Sequence, residues 1–147
     1  MGSTVVLALW RLPALLIANV GDSRAYLFRA GHLRQLSYDQ NFANELRTKL
    51  GLSDERVRAL PNGRALTMAI GTYPQVLISV QDETLEPGDL VLLCSDGLHG
   101  PVDDGVIATI LDEPEGIRDK VDKLIARANA NGGPDNVTVL LLEYEHG

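Results

Sequence analysis

The segment Glu115–Ala130 places Ile117, Val121, Leu124, Ile125 and Ala128 on one side of a helix. A stripe of that width is stable only against another apolar surface, and the rest of the chain offers mostly strands to meet it. Thr4–Trp10 and Leu15–Val20 are β-rich runs joined by Arg11-Leu12-Pro13-Ala14, which predicts a hairpin. Gly21-Asp22-Ser23 reads as a turn or bulge inside a continuing strand, and Ala25–Arg29 and Leu33–Leu36 flank a second hairpin at Ala30-Gly31-His32. Phe42, Leu46 and Leu50 recur every fourth residue and predict a helix over 40–50 that Gly51 stops. Ser53-Asp54-Glu55-Arg56 opens another, short helix. Further strands are expected at Leu66–Ile70, Gln75–Asp82, Leu90–Ser95 and Val137–Tyr144, with a helix at Asp103–Leu111. Strands lead and helices follow without β-α-β alternation, so the fold class is α+β, with antiparallel strands and helices on a sheet face.

A length of 147 residues predicts one domain, and 45% hydrophobic with 22% charged residues is a globular rather than a disordered balance. Thirteen Lys and Arg against twenty Asp and Glu give a net charge of −7, which argues against a nucleic-acid partner. The same excess is compatible with divalent cations. Cys94 is the only cysteine, so no internal disulfide forms, and a buried, inert thiol is expected. No run approaches the roughly 18–20 apolar residues that span a bilayer. The apolar Thr4–Trp10 is broken by Arg11 and Pro13 and has no basic lead, so it does not read as a signal peptide. A soluble, cytoplasmic protein without a membrane partner is the expectation.

Three aspartates stand beside glycines at strand ends: Asp22 in Asn19-Val20-Gly21-Asp22-Ser23-Arg24, Asp96 in Leu93-Cys94-Ser95-Asp96-Gly97-Leu98, and Asp135 in Gly133-Pro134-Asp135-Asn136-Val137-Thr138. A carboxylate at the rim of a buried strand is costly unless it is paired, hydrogen-bonded or bound to a cation. Carboxylates converging from separate strands suit Mg²⁺ or Mn²⁺. Each residue also has a plainer reading: an Asp before Gly forms turns, Asp135 can cap Asn136-Val137, and Asp22 can pair with Arg24. His99, three residues after Asp96, is a candidate proton donor or a solvated loop histidine. His32 and His146 read as surface residues and Trp10 as core or interface. Arg56, Arg58 and Arg64 form a basic cluster that can attract a phosphorylated substrate or simply face solvent.

Together, Ile17-Ala18-Asn19-Val20-Gly21-Asp22-Ser23-Arg24-Ala25-Tyr26-Leu27, Leu92-Leu93-Cys94-Ser95-Asp96-Gly97-Leu98 and Gly132-Gly133-Pro134-Asp135-Asn136-Val137-Thr138-Val139 resemble motifs of the PP2C-type metal-dependent protein phosphatases, in order and spacing. Gly2-Ser3-Thr4 resembles the opening of a central strand of that family, and Ser37-Tyr38-Asp39-Gln40, Asn44-Glu45-Leu46 and Leu66–Gly71 resemble segments around its flap. The resemblance implies a truncated α-β-β-α sandwich of antiparallel sheets with one helical layer missing. It implies one partial domain over 1–147 with a flap-like segment at about 37–65. It also implies metal ligation by Asp96 and Asp135, with Asp22 holding an additional, weaker ion. An ion-activated water would then attack phosphoserine or phosphothreonine in line.

The pattern departs from full members, which begin with strands and two long helices carrying an Asp-Gly motif, a further acidic residue and a phosphate-gripping arginine. Met68 stands where many members have Arg, and Gln40 where many have His. Two functions follow as expectations: an Mn²⁺- or Mg²⁺-dependent phosphatase acting on a phosphoprotein or small phosphate ester, or a catalytically inactive binding module. Because the first two strands are apolar on both faces, a homodimer or higher homo-oligomer is expected through them.

Overall fold

A computed structural model describes residues 1–145, leaving His146 outside the described residues. Strands β1 (Val5–Arg11) and β2 (Ala14–Val20) form the expected hairpin, turning at Leu12-Pro13, and β5 (Ser79–Thr84) pairs with the far side of β2. These three make one antiparallel sheet in the order β1-β2-β5. The second sheet contains β3 (Arg24–Arg29), β4 (His32–Gln35), β6 (Asp89–Cys94) and β7 (Val139–Tyr144) in the order β4-β3-β6-β7. Its β3–β4 hairpin turns on Ala30 and Gly31, with φ of 48° and 80°, the two left-handed residues that a tight hairpin needs.

The sheets pack face to face. Period-two alternation sends Leu15 and Ile17 of β2 inward against Ala25, Leu27, Val91 and Leu93 of the second sheet. The other face of that sheet presents Tyr26, Leu90, Leu92 and Cys94 to the helices α4 (Asp104–Asp112) and α5 (Ile117–Ala130). Leu124 and Ala128 of the amphipathic stripe are fully buried there, as is Ile107 of α4. All six residues of β6 are buried because the strand is covered on both faces. Leu92, at 0% exposure, contributes about 2–3 kcal/mol by the apolar area it hides. The layers are therefore helices, four-stranded sheet, three-stranded sheet. Leu7, Leu9, Leu16 and Val80 on the outer face of the last stay 38–59% exposed.

Four expectations need correction. Gly21-Asp22-Ser23 is no bulge within a strand: it is the crossing from β2 in one sheet to β3 in the other. Gly21 makes the corner with φ of 98°, and any Cβ there would lie 2.4 Å from the Thr4 side chain. Leu66–Ile70 forms no strand; it makes single bridges outside the strands, Asn41 to Leu66 and Ser3 to Ile70. The strand expected at Gln75–Asp82 runs over Ser79–Thr84, where β2 supplies partners. Trp10 is 56% exposed, so it is no core residue. Between β4 and β5 the chain makes an excursion containing α1 (Phe42–Leu50) and α2 (Asp54–Arg58). Asn41 caps α1 by accepting from the Asn44 amide, Gly51 ends it with φ of 62°, and Ser53 caps α2.

Candidate metal and phosphate site

A groove of about 1030 Å³ runs between the α1–α2 excursion and the end of the four-stranded sheet. Asp22 and Asp96 both line it. Asp22 hangs from the inter-sheet crossing and is 7% exposed. Burial, then the nearby charges of Asp96 and Asp39, push its carboxyl up to about 6. The positive charge that works the other way, Arg24, is committed elsewhere. Its Nε and Nη2 donate to both oxygens of Asp39 at 3.0 and 2.6 Å, and its Nη1 donates to the Tyr26 hydroxyl at 2.8 Å. Arg24 thus pairs with Asp39, not with its sequence neighbour Asp22.

Asp96 is exposed and opens α3 (Asp96–His99), a single turn directly after β6. Asp135 lies in the exposed loop before β7, where its own Oδ1 accepts from the Asn136 amide at 2.7 Å. That loop is fastened to the start of α3: the Ser95 amide donates to the Thr138 carbonyl at 3.1 Å, and the Thr138 amide donates to Ser95 Oγ at 3.0 Å. Gly97 allows the approach, since a Cβ there would stand 2.0 Å from the Asn136 carbonyl oxygen. The structure therefore brings Asp22 and Asp96 together on the groove and sets Asp135 on the neighbouring loop. Among the described residues, no three acidic, histidine or cysteine side chains gather closely enough to hold an ion.

The donor chemistry still fits a hard cation. A nearly buried carboxylate repelled by a second one is the arrangement that a divalent ion with oxygen ligands and several waters relieves. His99 is half-buried, and its Nε2 lies 2.8 Å from the Asp22 carbonyl oxygen. Burial, and then the charge of Arg24, hold its imidazole below the ordinary histidine range. Arg58 and Arg64 line the groove, with Arg64 donating to the Gly100 carbonyl at 3.3 Å, while Arg56 is exposed and not part of its wall. Arg47 also lines it, 2.6 Å from Asp54, and was missed because in the sequence it belongs to the polar face of α1. Cys94 is buried, which pushes its thiol up to about 12. His32 is exposed.

The chain belongs to the PP2C-type protein phosphatase family and corresponds to the C-terminal part of its catalytic domain. The family described as Protein phosphatase 2C matches residues 1–47. The serine/threonine phosphatase stp of Listeria welshimeri is 38% identical over 143 residues, covering 97% of this chain and 57% of that relative. The crystal structure of the Mycobacterium tuberculosis serine/threonine phosphatase PstP/Ppp superposes with a TM-score of 0.92 at 35% identity, over 99% of this chain and 61% of that one. A structure of the PstP catalytic domain in complex with two manganese ions gives a TM-score of 0.86 at 34% identity, over 99% and 60%. The chain thus spans about 57–61% of the length of these relatives. No helix among the described residues is long and apolar enough to cross a membrane.

Proposed function

We propose that this chain carries the ion-binding rim of a phosphatase that hydrolyses phosphoserine, phosphothreonine or related phosphate monoesters, with Mn²⁺ or Mg²⁺ as its ion. The observation that carries this reading is the nearly buried Asp22 carboxylate held beside Asp96 on a groove that arginines also line. What a divalent ion supplies in such a place is charge neutralisation and a more acidic water. Asp22 and Asp96 hold the ion, and Asp135 joins them from the loop fastened to Ser95. Arg58 and Arg64 draw in the phosphate dianion; Arg56, off the groove, contributes little. His99 has its Nε2 engaged with Asp22, which leaves only Nδ1 for the proton-donor role suggested by its position.

The phosphoprotein substrate docks against the excursion at about 37–65, read here as the flap of one partial domain. The buried, unpaired Cys94 supports a reducing, cytoplasmic setting. The open outer face of the three-stranded sheet supports association of two chains into a homodimer.

A second reading, a catalytically inactive binding module, is favoured by the absence of a three-ligand cluster among the described residues. Hydrolysis of p-nitrophenyl phosphate by the chain with Mn²⁺ or Mg²⁺, then with EDTA, separates the two. Turnover that needs the ion and vanishes in Asp96→Asn supports the phosphatase. No turnover at any ion concentration supports the binding module.

A further inference from the structure

His99 Nε2 lies 2.8 Å from the carbonyl oxygen of Asp22, 77 residues away in sequence. A carbonyl oxygen only accepts, so the ring carries its proton on Nε2 and donates it there. The two residues belong to different structural units. Asp22 sits in the crossing between the sheets, whereas His99 ends the helical turn that Asp96 begins. The bond therefore ties the backbone bearing one groove carboxylate to the turn bearing the other.

The remaining hydrogen bonds of the crossing act on its neighbours. The Gly21 amide donates to Gln40 Oε1 at 2.7 Å, and the Gly21 carbonyl accepts from the Gln40 amide at 3.0 Å and from Asn19 Nδ2 at 3.3 Å. Ser23 Oγ meets Thr4 Oγ1 at 2.9 Å. These contacts anchor the crossing to the excursion and to β1's approach, not to α3. Beyond the β3–β6 ladder, where Arg24 stands opposite Cys94, the bond that joins the Asp22 backbone to the Asp96 turn is the one from His99. The ladder fixes the strand ends two residues from each carboxylate, and the His99 bond adds a direct tie between the crossing and the turn themselves.

We propose that His99 is a positioning residue: by donating Nε2–H to the Asp22 carbonyl, it fixes the spacing at which Asp22 and Asp96 reach one divalent cation. This rests on the reading of Asp22 and Asp96 as ligands. Groups that orient metal ligands from behind typically set affinity by about 10–100-fold.

The test is calorimetric Mn²⁺ binding to the whole chain as parent, His99→Phe, His99→Gln, His99→Asn and Asp96→Asn, with a thermal melt of each in EDTA. Gln carries an amide donor near the place of the ring Nε2, whereas the Asn amide is one carbon shorter. Mn²⁺ affinity is expected to fall about tenfold or more in His99→Phe and His99→Asn, and to return to within about threefold of the parent in His99→Gln. Equal affinity in a folded His99→Phe, or a His99→Gln no tighter than His99→Asn, overturns the proposal. If His99→Phe does not fold, the Gln and Asn variants decide. A His99→Gln that does not fold also overturns it, since a donor at that place should suffice. Failure of the underlying reading looks different: the parent binds no Mn²⁺, or Asp96→Asn binds it unchanged, and the proposal falls with it.

Discussion

Asp22 is 7% exposed, and burial together with Asp96 and Asp39 raises its carboxyl from the ordinary 3.8 to about 6. A folded chain with a raised carboxyl takes up a proton between pH 4 and 6 that the unfolded chain lacks. The stabilisation this protonation brings is present at about pH 4 and lost as the pH rises through about 6. Asp22→Asn is therefore expected to stabilise the ion-free protein at pH 7.5 by about 1–3 kcal/mol, and to be nearly neutral at pH 4.5. Melting in EDTA at both pH values checks this, and Mn²⁺ should favour the parent instead. Asp89 shows the opposite sign. Burial pushes its carboxyl up, but Arg29, donating at 2.8 and 2.6 Å, and the Glu86 amide, at 2.7 Å, outweigh that and hold it low. Its contribution is present at neutral pH and is lost as the pH falls through and below the ordinary carboxylate range. Asp89→Asn should cost about 1–3 kcal/mol in urea unfolding at pH 7, the gap narrowing toward pH 3. Asp22 and Asp96 were legible because each stands beside a glycine where an apolar run ends, and Asp135 because it stands just before the last apolar run, two residues after Gly133. The partner of Arg24 was not, because the nearby acid in sequence is Asp22. The β3–β4 hairpin turns the chain back so that the residues after Gln35 run past Ala25 and Arg24, and this brings Asp39 to the guanidinium.

Among the elements, α3 and the loop before β7 act as one piece. Ser95 and Thr138 bond in both directions, and Gly97 lies under the Asn136 carbonyl. A methyl group at Gly97 would sit 2.0 Å from that backbone oxygen, so either the loop or the turn must move. Gly97→Ala should destabilise the protein by about 1–3 kcal/mol, as overpacking does, and should weaken Mn²⁺ binding by drawing Asp135 away from Asp96. Thermal melting and calorimetry on the one variant check both effects. A stable Gly97→Ala with parental Mn²⁺ affinity would remove Asp135 from the proposed ligands. The turn itself was invisible in the sequence because four residues are too few to show a helical period. Leu66–Ile70 misled in the other direction. Its apolar run has strand character, yet no neighbouring strand offers it a ladder, so it keeps single bridges and leaves Leu66 and Ile70 at 40% and 44% exposure. Long elements with a clear period, such as α5 and the β1–β2 hairpin, were readable because their burial pattern is written in the residues themselves.

At the scale of the molecule, the helical cover is one-sided. Leu7 pairs with Ala18 and Ala18 in turn with Val80, and Leu9 pairs with Leu16, so the outer face of the three-stranded sheet carries an apolar band. Light scattering at micromolar concentration should give twice the mass of one chain, and the double substitution Leu7→Glu, Leu9→Glu should move it toward a monomer. A sharp single-chain mass that does not change on dilution would exclude the homodimer. The same layering bears on how deuterium enters the backbone. β6 lies between β3 and β7 with both faces covered, so its amides open only when the whole fold does. β1 is bonded to β2 alone and covered on one side, so it can peel away while β6 stays closed. Exchange followed by mass spectrometry should therefore label Val5–Arg11 well before Asp89–Cys94. The half of the chain that bears Asp96 would keep its protons after the β1 edge has already given up its own.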